Sequence, residues 1–281
     1  TEGGAEVLLG ISRFWAQRIH WSEAKKKFVM HGVTGPNEYE NNVNNNFYTN
    51  YIAKWCIDYT IEQIQKIEKA VVLDLGCGGG HVSYNVAPHA DLVFAYDLSH
   101  EMLDTVSKAA SQRKLKNIFV QQGIAEDMPF SDQQFDVVIS RYSAHHWQHV
   151  PTAMKEVNRV LKPDGIVIFV DIISSSSPIL DTFLQTIETI RDPSHVRNYS
   201  VKEWVYFIED AGFDLVGLDK QTLALDFDSW VKRMKTPEDQ IKTLRYLQEG
   251  SSDLVKKYFK IQNDGSFESH VGYFVFKKLG F

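Results

Sequence analysis

Gly76-Cys77-Gly78-Gly79-Gly80 follows the apolar run Val71-Val72-Leu73-Asp74-Leu75 without a break. Glycines at a strand-to-helix turn permit positive φ and let a ligand approach the backbone closely. Asp97 ends the next apolar run, 21 residues after Gly76. A doubly wound fold places there the carboxylate that grips ribose hydroxyls. The chemistry this spacing suits is capture of a nucleoside. A second cluster, Arg141-Tyr142-Ser143-Ala144-His145-His146-Trp147, follows the fourth apolar run. An unperturbed imidazole titrates near ~6.5, so His145 or His146 can take a proton from a hydroxyl or an activated carbon acid near neutral pH. The plainer role for either is a helix cap or a wall residue beneath the ligand. The pair has no Cys or carboxylate at ligand spacing, which disfavours a metal.

A dinucleotide fingerprint reads G-x-G-x-x-G and sets a pyrophosphate on the helix N-terminus. Here the spacing is G-x-G-x-G, Asp74 precedes the loop, and no Lys or Arg lies between Val71 and Val86. S-adenosylmethionine carries no phosphate. Its ammonium suits a carboxylate such as Asp74, acting directly or through the loop.

These residues need a frame that brings them to one edge. Apolar strands are expected at Val71–Leu75, Leu92–Tyr96, Ile118–Gln121, Phe135–Ser140 and Gly165–Asp171. Helical patterns fall between most of them, around His81–Val86, Ser99–Arg113 and Thr152–Lys162, with Asp97-Leu98-Ser99 as a cap for the second. Near-continuous apolar strands alternating with helices imply a parallel sheet covered on both faces. Helices at Pro178–Ile190 and Val201–Ala211, a strand at Phe213–Leu218, a mostly helical stretch and a last strand at His270–Lys277 complete this part. The chain reads differently before Lys66–Ala70. Val7, Leu8, Ile11, Phe14, Trp15 and Ile19 recur at helical spacing, Trp21 to Asn46 reads as a polar loop, and a second helix is expected from Tyr48 to Glu68.

The chain has 281 residues, 43% of them hydrophobic and 23% charged, with a net charge of −6. That balance is globular and argues against a duplex-binding surface. Two cysteines, Cys56 and Cys77, rule out a disulfide framework and a multi-Cys metal site. No apolar run reaches the ~18 residues a membrane span needs. A cytoplasmic location is the default expectation.

Val72–Gly80, Tyr96–Leu103, Gly123–Phe130, Phe135–Trp147 and Glu156–Asp171 together resemble the class I S-adenosylmethionine-dependent methyltransferases. The likeness is greatest to the ubiquinone/menaquinone-biosynthesis-type group and its small bacterial relatives, and it covers about three-quarters of the chain. The resemblance implies that Gly76, Gly78, Gly79 and Gly80 line the methionine end of the cofactor, that Asp97 binds the ribose, and that Leu98 and Met102 border the adenine. It places Ala125 and Glu126 along the adenine edge and Ser140 near the sulfonium. Family members often carry Asp where this chain has Ile124, so the adenine must rely on backbone groups or on Glu126.

The acceptor is expected to be a small molecule, because no Asn-Pro-Pro-Tyr or Asp-Pro-Pro-Tyr follows the fourth strand. Arg191, His195, Arg197, Asn198 and Tyr199 form a polar cluster that reads either as a lid for an anionic group or as a solvated loop. Trp204, Phe207, Ile208, Trp230 and Tyr273-Phe274-Val275-Phe276 read as core.

A second resemblance belongs to the N-terminal segment. Arg13-Phe14-Trp15, Gly32-Val33-Thr34-Gly35-Pro36-Asn37-Glu38-Tyr39 and Asn44-Asn45-Asn46-Phe47-Tyr48-Thr49-Asn50 resemble maltose-phosphorylase-type glycoside phosphorylases, which are (α/α)₆ barrels. That likeness makes Glu38 the match of the acid that protonates the glycosidic oxygen. The barrel's other helices and its phosphate site are absent, so Glu38 is expected to be a relic.

The expected architecture is therefore an α/β domain over residues 70–281, a doubly wound, mostly parallel seven-stranded sheet with an antiparallel last strand. A helix-loop-helix segment over residues 1–67 precedes it. The expected activity is methyl transfer from S-adenosylmethionine to a small-molecule acceptor, with no nucleic acid, membrane or metal involved. A chain that binds the cofactor without turnover, and a phosphorylase fragment, are the alternative readings. The oligomeric state is not legible.

Overall fold

A computed structural model describes residues 19–22, 27–30, 47–67 and 69–279. The chain forms two compact units, residues 1–53 and 54–281. In the first, strands β1 (Ile19–Ser22) and β2 (Lys27–Met30) pair antiparallel, with Ile19 opposite Met30 and Ser22 opposite Lys27. This corrects the expected unbroken loop from Trp21. Ile19-His20-Trp21-Ser22 alternates apolar and polar residues, the period of a strand. Ile19, expected to close the first helical stripe, instead begins β1, and the rest of that stripe and the Glu38 motif lie outside the described residues.

Helix α1 (Phe47–Ile64) ends inside the second unit. Its Cys56, Thr60 and Ile64 are buried at four-residue spacing, one face of the helix.

The second unit is built on one sheet. Its strands are β3 (Val71–Leu75), β4 (Leu92–Asp97), β5 (Ile118–Gln122), β6 (Phe135–Arg141), β7 (Leu161–Ile173), β8 (Phe213–Leu225) and β9 (Phe267–Lys278). They lie in the order β5-β4-β3-β6-β7-β9-β8. The first five are parallel, and β9 runs antiparallel to both β7 and β8. The order reverses at β3, so the crevice outside β3, β4 and β6 is the switch point where such sheets hold ligands.

The helices are α2 (His81–Val86), α3 (His100–Gln112), α4 (Val150–Val160), α5 (Pro178–Arg191), α6 (Val201–Asp210), α7 (Phe227–Arg233), α8 (Glu238–Gly250) and α9 (Asp253–Tyr258). The Ser99 hydroxyl caps α3 by accepting from Met102 N at 3.3 Å, as its position suggests. Ser200 and Glu203 form a reciprocal capping box on α6. Helix α4 stops at Val160, two residues before the expected Lys162. Pro163 disfavours helical backbone at the residue before it, and Leu161 already starts β7. Strand β8 runs seven residues past the expected Leu218 to Leu225. As an edge strand it tolerates the polar stretch Asp219-Lys220-Gln221-Thr222, where the sequence suggested the start of a mostly helical stretch.

The core lies between sheet and helices. Phe94, Phe130 and Phe135 meet edge-to-face, with Phe130 and Phe135 centroids 4.9 Å apart. Phe169 does the same with Trp147, Trp204 and Phe276. Trp204, Ile208, Trp230 and Tyr273 to Phe276 are buried and Phe207 packs against them, so the aromatic stretch of β9 is core as its pattern indicates. No helix among the described residues is long and apolar enough to cross a membrane.

Candidate active site

The glycine loop hangs on the end of β4. Gly76 N and Cys77 N both donate to Tyr96 O, at 2.8 and 3.0 Å. Gly76, Gly78 and Gly80 have φ of +71°, +49° and +78°, a region that other residues enter at a cost. Asp97 sits opposite. Its Oδ2 accepts from Gly78 N and its Oδ1 from Ser99 N, each at 2.8 Å. One side chain thus ties the loop to the start of α3. A carboxylate has about four acceptor positions, so Asp97 keeps capacity for two more donors.

Asp74 is fully buried and works from behind the loop. Its Oδ2 accepts from Ser83 N at 3.0 Å and from the Ser83 hydroxyl at 2.6 Å, fixing α2. Burial pushes its carboxyl up to about 6 against the two Ser83 bonds and the Arg141 guanidinium.

Around the expected adenine site, Leu98 is 67% exposed and Ile124 46% exposed, while Met102 and Ala125 are buried. Exposed apolar side chains flanking a crevice suit the face of a planar base. Tyr96 donates its hydroxyl to Ile124 O at 2.8 Å. The Glu126 Oε1 accepts from His149 N at 2.9 Å, so this carboxylate already holds the start of α4.

The end of β6 carries polar atoms without partners. Ser140 Oγ, Arg141 Nε and Nη1, and the Tyr142 hydroxyl are buried and make no hydrogen bond. Tyr142 also has φ +54°, and its N–H donates to Val170 O at 2.8 Å. Strained residues and orphaned polar atoms at a strand end mark a place where a ligand completes the structure. Burial pushes the Tyr142 phenol well above its usual range.

Beyond it lies a histidine cluster. His145 Nδ1 meets Asp171 Oδ1 at 2.6 Å, and Asp171 also accepts from His145 N at 3.3 Å and Ile172 N at 2.8 Å. Because a carboxylate accepts, Nδ1 carries the hydrogen and Nε2 is left with a lone pair. Among the described residues only Nδ1 of the His145 ring is engaged, and the side chain is 17% exposed. Burial works against the charged imidazole, but the Asp171 carboxylate outweighs it and holds the His145 pKa above its ordinary value. His146 donates through Nδ1 to Ser194 O at 3.1 Å, and burial beside His145 lowers its pKa. His195 Nε2 donates to Gln185 Oε1 at 3.0 Å, and burial takes its pKa to about 4.

The lid reading of the arginines meets an obstacle. Arg191 pairs with Glu188 at 3.0 Å, and Arg197 with Asp181 at 2.9 Å. Both guanidinium charges are spent within the fold. Asn198 is different: it is 1% exposed, and both of its side-chain polar atoms lack partners. Sequence reading missed Asp171 as a partner. The available signal was its position at the carboxyl end of the strand next to β6.

The Methyltransferase domain family matches residues 73–169. The protein YafE of Escherichia coli is 48% identical over 196 residues, which is 70% of this chain and 95% of YafE. The methyltransferase YcgJ of Bacillus subtilis is 38% identical over 173 residues, 62% of this chain and 68% of YcgJ. Its crystal structure superposes with a TM-score of 0.76 at 31% identity, covering 81% of this chain and 100% of that one. The chain belongs to the class I S-adenosylmethionine-dependent methyltransferases. The methyltransferase fold accounts for the whole seven-stranded sheet, antiparallel β9 included.

The N-terminal part of this methyltransferase matches another family. The glycosyl hydrolase family 65 central catalytic domain matches residues 1–94. Maltose phosphorylase of Bacillus subtilis is 57% identical over 76 residues, 26% of this chain and 10% of that enzyme.

The residues present fit S-adenosylmethionine. A Cβ on Gly76 would fall inside the Ser143 side chain, and one on Gly80 would come within 2.8 Å of Tyr84 Cζ and Val106 Cγ2. The loop therefore has no room for a side chain at either position and keeps its backbone closely packed. Gly76→Ala combines that clash with a positive φ. It is expected to cost about 2–4 kcal/mol of stability. Urea denaturation checks this, and cofactor titration of the folded fraction is expected to show weakened binding.

Proposed function

We propose that residues 70–281 transfer a methyl group to a small molecule whose nucleophile is a hydroxyl or an activated carbon acid, with His145 accepting its proton. The observation that carries this reading is the His145–Asp171 pair at 2.6 Å, which commits Nδ1 to the carboxylate and makes Nε2 the nitrogen that accepts a proton. S-adenosylmethionine supplies a methyl group on a sulfonium leaving group. The chain's tasks are to hold nucleophile and methyl in line and to keep water out.

Gly76, Gly78, Gly79 and Gly80 offer backbone to the methionine end, Asp97 offers its two remaining acceptor positions to the ribose, and Leu98, Met102 and Ala125 border the adenine. Glu126 serves this edge through its bond to His149, and Asp74 holds the loop through Ser83. Ser140 lies at the sulfonium side. Asp171 fixes the His145 tautomer, and His146 anchors the histidine turn to Ser194. The two committed arginines favour an acceptor read by neutral hydrogen bonds, with Asn198 as one such reader. The net charge of −6 supports a small molecule over nucleic acid.

The test is a panel of phenols, enolisable carbonyl compounds and amines, read by S-adenosylhomocysteine release and product mass. The expected result is methylated oxygen or carbon, with loss of product in His145→Gln. Methylation confined to amines and unchanged in His145→Gln would sink the reading.

A further inference from the structure

Arg141 closes β6 with its guanidinium inside the protein. The residue is 6% exposed, and Nε and Nη1 find no hydrogen-bond partner. A buried charge without a partner is rare, because water's solvation is lost and nothing replaces it. Partial compensation comes from the Tyr142 ring, with its centroid 5.4 Å from the guanidinium carbon, and from the field of the Asp74 carboxylate.

The position of this charge is informative. Asp74 on β3 is the register partner of Ile139 on β6. Side chains alternate along a strand, so Ile139 and Arg141 share a face, which Ser140 does not. Arg141 therefore stands on the face that carries Asp74, at the edge from which the glycine loop springs. Its field reaches both ends of that loop: it opposes the burial that raises Asp74, and adds to the burial that takes His81 to about 4. The loop itself, from Val71 to Val86, contains no Lys or Arg. The aminoacid end of S-adenosylmethionine brings a carboxylate to this loop, and a guanidinium presents a fork that matches a carboxylate.

We propose that Arg141 is the residue that binds the α-carboxylate of the cofactor's methionyl group. An acidic group on the methyl acceptor is the other possible source of a carboxylate. Proximity to Asp74 and His81, rather than to the histidine cluster, favours the cofactor. The inference rests on S-adenosylmethionine being the cofactor, but not on the identity of the acceptor.

The experiment is calorimetric titration with three ligands: S-adenosylhomocysteine, its analogue lacking the carboxylate, and 5′-methylthioadenosine. The full chain is expected to bind S-adenosylhomocysteine about 30-fold more tightly than the decarboxylated analogue, the size of one charge-assisted pair. In Arg141→Gln that ratio should collapse to about one, while 5′-methylthioadenosine binding changes less than about threefold. Retained 5′-methylthioadenosine binding also shows that the variant is folded. Arg141→Met gives a second readout: its ligand-free Tm should not fall, and the Tm rise caused by S-adenosylhomocysteine should shrink. Equal loss for all three ligands, or an unchanged ratio, would overturn the role of Arg141 alone. Failure of the unaltered chain to bind S-adenosylhomocysteine would overturn the cofactor assignment and this inference together.

Discussion

Asp97→Ala is expected to lower the affinity for S-adenosylmethionine and S-adenosylhomocysteine by about 100- to 1,000-fold in calorimetric titration. The carboxylate performs two tasks through separate lone pairs. It holds Gly78 N and Ser99 N, each at 2.8 Å, and the remaining positions are free for ribose hydroxyls. Hydrogen bonds to a charged acceptor contribute about 1.5–3 kcal/mol each, so losing two on the ligand, taken near the low end of that range, costs about 3–4 kcal/mol. Release of Gly78 adds to that by loosening the loop before the ligand arrives. Asp97→Asn separates the tasks. Its single carbonyl oxygen can still accept from one amide, so its loss should be intermediate. Binding by Asp97→Ala within about threefold of the original would remove Asp97 from the site.

The second large effect is expected from Asp171→Asn. The substitution keeps the shape but offers an N–H where His145 Nδ1–H needs an acceptor. The imidazole is then driven to the other tautomer and its base lone pair turns away from the acceptor. General-base catalysis contributes about 10²–10⁴-fold, and kcat should fall within that range while cofactor affinity holds. The pH profile carries a signature that simple damage lacks. His145 acts when neutral, so activity rises with pH through its pKa, which Asp171 holds above the ordinary value. Without the carboxylate, burial dominates and the rising limb moves to lower pH, although the plateau falls. The linkage to stability has the same origin. The stability contributed by the protonated pair is fully present below about 6.5, the unfolded value, and is lost as pH rises through the folded one. An unshifted limb in Asp171→Asn would separate His145 from the reaction.

Much of this was legible in one dimension. Glycine spacing, the apolar strands and the Ser99 cap are local signals, and the structure keeps them. What was not legible depends on partners distant in sequence. Asp171 lies 26 residues from His145 and meets it only because β6 and β7 are parallel neighbours in register. Arg191 and Arg197 look like anion readers until Glu188 and Asp181 are seen against them. Glu126 looks free until α4 brings His149 N to it. That Arg141 Nε and Nη1 are buried without a hydrogen-bond partner is a negative property that no residue pattern encodes. β8 was cut short because its polar stretch needs only one neighbour, and that neighbour is remote in the chain.

That neighbour, β9, has a consequence for how the protein is made. β8 joins the sheet through β9 alone, and β9 begins 42 residues after β8 ends, from Leu225 to Phe267. During synthesis the parallel strands can assemble first, leaving the Phe169-bearing edge of β7 open and β8 without a place to dock. Pairings that close so late are slow, and an open apolar edge is a template for the wrong chain. A nascent chain halted before Phe267 would already own every strand end that faces the cofactor, yet it would reach the cell with its sheet unsealed.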